Sequence, residues 1–128
     1  MEDLPVLDIS YLAAPYSHSD PSVVEARITA LCKVDAKLMR DGIYTVSPLL
    51  KHFVVAHENL PTDYEYWRGY SEALLCNVDT MIVVTLDGWR ESIGVTAEIE
   101  MAKALDIAIR YVDENGNDVN VEEIDDEF

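Results

Sequence analysis

Apolar positions along this chain follow two rhythms. Short runs of strand length occupy residues 9–13, 43–46, 80–86 and 107–112; the third is almost continuously apolar, as a strand buried on both faces would be. Between them, apolar residues recur every three or four positions, the mark of helices with one face against a core. The first helix is clearly bounded. Asp20 is placed to cap it, Pro21 suits its first helical position, and Ser22 with Glu25 offers a capping box one step later. Val24, Ile28, Leu31, Cys32 and Leu38 share its apolar face, and Gly42 after Asp41 is a natural stop. A second helix is predicted from Thr62 or Asp63 to about Asn77, carrying Tyr66, Trp67, Tyr70, Leu74 and Leu75, and a third from Ser92 through Leu105. Residues 49–62 read as loop or broken helix, 114–117 as a turn, and 119–121 have the pattern of a short edge strand. This alternation predicts a single three-layer α/β domain over residues 1–112 with a mostly parallel, flavodoxin- or Rossmann-like sheet, followed by an acidic C-terminal tail at 113–128.

In such sheets ligands bind beyond the carboxyl ends of the strands, which directs attention to residues 14–19, 47–60 and 87–94. Ser92-Ile93-Gly94 leads straight into the third helix, whose free N–H groups would face the crevice. An anion there gains from those donors and from the helix dipole; a Ser cap with a small packing Gly is the plainer account. Glu98 is the sharper signal. At the helical period Val95, Ile99, Ala102 and Leu105 form the sheet-facing stripe, and Glu98 falls inside it while Glu100 points away. A carboxylate in an apolar stripe must be paired or stand at a cavity edge; the alternative is a marginal Glu that reaches solvent.

Charge narrows the partners. The 128 residues include 25 acidic and 9 basic ones, a net of −16, which disfavours a nucleic-acid polymer and any polybasic attachment to a membrane. Eight of the acids lie from Asp113 onward, leaving 17 acidic and 9 basic residues, net −8, for residues 1–112. No run of 18 apolar residues and no signal-peptide pattern is present, and Cys32 and Cys76 lack metal or disulfide spacing. A cytoplasmic, reducing setting is the expectation. His52 and His57 lack the spacing of metal ligands, so neither metal nor other cofactor is expected.

Four segments together resemble a known family: Tyr11-Leu12-Ala13-Ala14-Pro15-Tyr16-Ser17-His18; Gly42 with Ser47-Pro48; Leu60-Pro61-Thr62-Asp63-Tyr64 with Trp67; and residues 86–99, containing Ser92-Ile93-Gly94-Val95-Thr96-Ala97-Glu98. In this order, over about residues 9–112, the chain is similar to small phage and bacterial proteins grouped with the nucleoside 2-deoxyribosyltransferases. The resemblance implies that Glu98, in the G-x-x-x-E spacing after Gly94, is the nucleophile attacking the anomeric carbon of a nucleoside. The position six before the nucleophile is Asp in transferases acting on free nucleosides. It is Ser, binding phosphate, in the 2′-deoxynucleoside 5′-phosphate N-hydrolases, which Ser92 resembles. Cleavage of a (deoxy)nucleoside 5′-monophosphate is therefore implied, with Ser92, Gly94 and Ser17, and Arg90 or His18, around the phosphate. Tyr11, Asp87 and Ser71 are further substrate-binding candidates, Tyr11 bordering base or sugar unless it simply packs in the core, Asp87 unless it is ordinary turn chemistry. Tyr16, Tyr64, Trp67 and Trp89 could stack a base. Ser71 stands where the family's W-x-x-Y-D pattern carries Asp, and only Asp63, Glu65 or Glu72 could replace that carboxylate. A binding module without turnover, a transferase using free nucleosides and a nicotinamide-nucleotide glycohydrolase are the competing readings. The resemblance also implies a homo-oligomer of dimer size or larger, with the aromatic 64–70 segment as a contact.

Overall fold

The computed structural model describes residues 8–121. Its centre is a four-stranded sheet in the order β2-β1-β3-β4, built from β1 (Ile9–Ala13), β2 (Tyr44–Val46), β3 (Thr80–Val84) and β4 (Ala108–Val112). All three strand pairings are parallel, with Tyr11 registered against Val46 on one side and Met81 on the other. Four helices connect or flank the strands: α1 (Pro21–Arg40), α2 (His52–Glu58), α3 (Tyr64–Leu75) and α4 (Ile93–Ala104). The expected α/β sheet is thus present, and its named strands are wholly parallel.

Strand order decides the layers. The chain steps from β1 outward to β2, then crosses back past β1 to β3 and on to β4. Right-handed crossovers in opposite directions put their helices on opposite faces, so α1 covers one face and α3 with α4 the other. The strand pleat sorts the side chains accordingly. Leu12, Ile82 and Val84 pack with Leu31, Val34 and Leu38 of α1, while Tyr11, Ala13, Met81 and Val83 pack with Leu75, Val95 and Ala102.

The helix ends follow local chemistry. Asp20 accepts from Ser22 N with Pro21 next, Asp63 accepts from Tyr66 N, and Ser92 accepts from Val95 N. Gly42, at φ +81°, turns the chain from α1 toward β2. Three details refine or depart from the sequence pattern. Of the two forms open to residues 49–62, loop or broken helix, the second is present: a 3-10 turn at Pro48–Lys51 runs into α2, which ends at Asn59 in the left-handed region. Cys32 and Leu105, assigned to apolar stripes, are exposed, because the stripe of α1 turns through Val34 and Leu105 already lies past the last turn of α4. In place of an edge strand at 119–121 there is a single antiparallel bridge, Val112 to Asp118, and Asp118 pairs with Arg110. Residues 122–128, most of the acidic segment, lie outside the described residues.

Candidate functional site

The direction of crossing reverses between β1 and β3, and the loops leaving their carboxyl ends diverge there. A cavity of about 860 Å³ opens at this point. Its floor is Ala14 after β1, one wall is the segment after β2 through Leu49 and His52, and the other is the start of α4. The opening of α3 with Tyr64 and Trp67 completes it. A space of this size is that of a small-molecule pocket.

Glu98 stands on the cavity wall and is 8% exposed. The helical stripe that carries it is otherwise Val95 and Ala102, so its burial follows from its phase on α4. Tyr11, fully buried on β1, donates its hydroxyl toward the Glu98 carboxylate and also lies 3.1 Å from Ser71 Oγ of α3. Desolvation pushes the Glu98 carboxyl up to about 7, while the hydrogen bonds from Tyr11 and Ser71 pull it back. The same burial and the adjacent carboxylate push the Tyr11 phenol far above its ordinary value, so Tyr11 remains a donor. Three elements remote in sequence therefore converge to hold one carboxyl group poised between its two protonation states. Tyr11 does not border the cavity. It is fully buried and meets Glu98 from the sheet side, the arrangement of the core-packing alternative. Ser71 does line the cavity beside Glu98.

The N-terminus of α4 contributes Ser92 and Gly94 to the same wall. Ser92 Oγ accepts from Val95 N at 3.2 Å, which caps the helix and leaves the hydroxyl proton available to a ligand. A Cβ on Gly94 would meet only Tyr64 Cδ1 at 3.7 Å and Ser92 Oγ at 3.9 Å, ordinary contacts. Packing does not demand glycine there, and its bareness serves the open cavity.

Arg27 was not singled out from the sequence, yet it is the Lys or Arg side chain on this cavity. It donates to Ser17 O at 2.9 Å and to Asp87 O at 3.2 Å, tying the loop after β1 to the loop after β3. Gly88, at φ +90°, passes so close that a Cβ would come within 2.6 Å of Arg27 Nη2. Only the tertiary fold reveals this cation, since its helix gives no sign of facing a site. Ser17 lines the cavity, but its hydroxyl donates to Thr62 O at 3.1 Å and so is already committed. His18 and Asp87 also line it, with His18 Nδ1 accepting from Asp20 N. Arg90 does not; its guanidinium sits 4.5 Å over the Trp89 ring, and Trp89 itself packs against Tyr111.

Tyr16, Tyr64 and Trp67 reach the cavity, as base stacking would require. The Tyr64 hydroxyl is buried with no hydrogen-bond partner among the described residues, and burial, followed by the charge of Glu98, pushes the phenol above its ordinary ionisation range. A buried phenol without a partner is costly unless a ligand supplies one. Of the carboxylates that could replace an Asp at position 71, Asp63 and Glu65 line the cavity, whereas Glu72 pairs with Arg68. Asp63 is engaged in capping α3. Among the described residues no three His, Cys, Asp or Glu side chains gather as a metal site, and no helix is long and apolar enough to cross a membrane.

No curated protein matches this chain. Residues 8–114 match a family described as a domain of unknown function (DUF1937), a span that includes all four strands and every residue of the cavity. The chain belongs to that family.

Proposed function

We propose that this protein cleaves the N-glycosidic bond of a (deoxy)nucleoside 5′-monophosphate, with Glu98 as the nucleophile. The observation that carries the reading is the carboxyl of Glu98, buried in a cavity wall yet held by Tyr11 and Ser71. A positioned carboxylate can stabilise an oxocarbenium-like centre or bond to it. In the proposed step a Glu98 oxygen bonds to C1′ as the C1′–N bond breaks. The base leaves with the bonding pair and takes up a proton. Water then adds to C1′, loses a proton, and releases Glu98 as carboxylate, so the products are free base and sugar phosphate. A second base in place of water would make the protein a transferase.

The phosphate is assigned to the first turn of α4, where Ser92 and the N–H groups beside Gly94 face the cavity and Arg27 is the nearby cation. Tyr64, with its unmet donor, is assigned to a substrate oxygen. Asp87 and Glu91 line the same wall and repel a dianion, which favours a second reading, turnover of free nucleosides. The binding module without turnover is retained on one observation, the hydroxyl of Ser71 standing beside Glu98 in place of a second carboxylate.

The test is base release, followed by chromatography, from a panel of ribo- and deoxynucleosides, their 5′-monophosphates and NAD. Release from at least one monophosphate, lost in Glu98→Ala, is expected. Faster turnover of nucleosides than of monophosphates overturns the phosphate assignment. Saturable nucleotide binding without any release overturns catalysis and supports the module.

A further inference from the structure

The wall opposite α4 carries a chain of hydrogen bonds that the proposed cleavage does not use. Tyr16, three residues beyond β1, has its hydroxyl 2.8 Å from His52 Nδ1 at the start of α2. His52 Nε2 lies 3.1 Å from Glu25 Oε1 on α1. Tyr16 and His52 both line the cavity, and the His52 side chain is only 11% exposed. Three separate elements thus meet in one ordered array.

The order of the array fixes its hydrogens. A Glu25 carboxylate can only accept, so His52 carries a proton on Nε2. In the neutral ring Nδ1 is then an acceptor, and the Tyr16 hydroxyl must donate to it. Burial and the charge of Glu25 push the Tyr16 phenol above its ordinary ionisation range, so it keeps that proton. What Tyr16 has left for a ligand is lone pairs alone.

With C1′ at Glu98 and the phosphate at the first turn of α4, the base extends across β1 toward this opposite wall. We propose that Tyr16, positioned by His52 and Glu25, reads the edge of the base as an acceptor and selects bases bearing an exocyclic amine over their oxo counterparts. An amine places a donor against the Tyr16 oxygen; an oxo group places an acceptor there and leaves both unpaired. The inference rests on the reading that a nucleobase occupies the cavity.

The test is the ratio of kcat/KM for deoxyadenosine over deoxyinosine monophosphate, and for deoxycytidine over deoxyuridine monophosphate, at pH 8, with nucleosides substituted if they are the faster substrates. A ratio of about ten or more in at least one pair is expected for the native chain. Tyr16→Phe should bring it to about one, and Glu25→Gln, at an exposed position, should lower it by freeing the imidazole to turn its hydrogens around. Loss of packing alone would slow both members of a pair alike and leave the ratio in place. Base release without preference, or a preference that survives Tyr16→Phe, overturns the inference and leaves the cleavage standing. No release from any substrate overturns both.

Discussion

The two faces of the sheet are built on opposite terms. Against α1 the sheet presents Leu12, Ile82, Val84 and Val112 to Leu31, Val34 and Leu38, a layer of aliphatic side chains. Against α3 and α4 a similar apolar layer is interrupted by Tyr11, Ser71 and Glu98, all buried. Neighbours on β1 divide between them, Leu12 to one face and Tyr11 to the other. One face supplies cohesion, while the other gives up some of it to keep a carboxyl group in a dry place. The division runs across a single strand, so a substitution on the aliphatic face should cost stability and spare the candidate site, while one on the polar face should alter both.

The largest effect should come from the aliphatic face. Leu38→Ala removes a fully buried side chain at the end of α1 remote from the cavity. It should lower unfolding free energy by about 2–5 kcal/mol in urea titrations, with base release per folded molecule unchanged. A loss of turnover as large as the loss of stability would break the separation.

The polar face should respond in the opposite sense. The folded chain holds the proton of Glu98 up to about 7, against an ordinary value of 4.5. The folded state therefore binds this proton more tightly than the unfolded one. The contribution to stability is greatest below about 4.5 and is lost as pH rises through about 7. At 1.36 kcal/mol per unit the loss amounts to about 3 kcal/mol. Glu98→Gln should be more stable than the native chain at pH 8 by up to that amount, converge with it at pH 4.5, and release no base. A stability difference that does not vary with pH would show that Glu98 ionises as an exposed carboxyl does.

A smaller change tests the hand behind the carboxyl. Tyr11→Phe removes a charge-assisted hydrogen bond worth about 1.5–3 kcal/mol. If the proposed cleavage holds, base release by the native chain should rise with pH through about 7 as Glu98 ionises, and in Tyr11→Phe this limb should move upward, since the lost bond favoured the carboxylate. An unmoved limb would assign the pH dependence to another group. The smallest effect concerns the first turn of α4. Ser92→Ala loses the cap to Val95 N and should cost about 1 kcal/mol in stability. If Ser92 also meets a phosphate, KM for monophosphates should rise while KM for nucleosides stays put.

The pattern of the chain already contained much of this. Asp20-Pro21, Thr62 or Asp63, and Ser92 announce three helix starts because capping is local chemistry, and Asp20, Asp63 and Ser92 are the caps in the structure. Glu98 was legible because a charged residue breaking an apolar stripe is visible from spacing alone. Residues 48–58 were harder to read, since a 3-10 turn running into a seven-residue helix carries too few turns for a periodic signal. Arg90 drew attention by its place in a loop near the site. Arg27 stood unnoticed on the polar side of a helix, where nothing local distinguishes a solvated arginine from one that ties two loops together.

What the sequence by itself determined was the run of strands and helices, their caps, and a carboxylate in the wrong company on α4. Each depends on neighbours within a few residues, where period and side-chain chemistry act directly. The partners of that carboxylate were decided only by the tertiary structure. Tyr11 and Ser71 are 60 residues apart and Tyr11 and Glu98 are 87 apart, and parallel crossovers alone bring them together. The Tyr16–His52–Glu25 array arises in the same way from three elements. Parallel strands pair only through long connections, so the contacts that tune chemistry at their ends are non-local by construction.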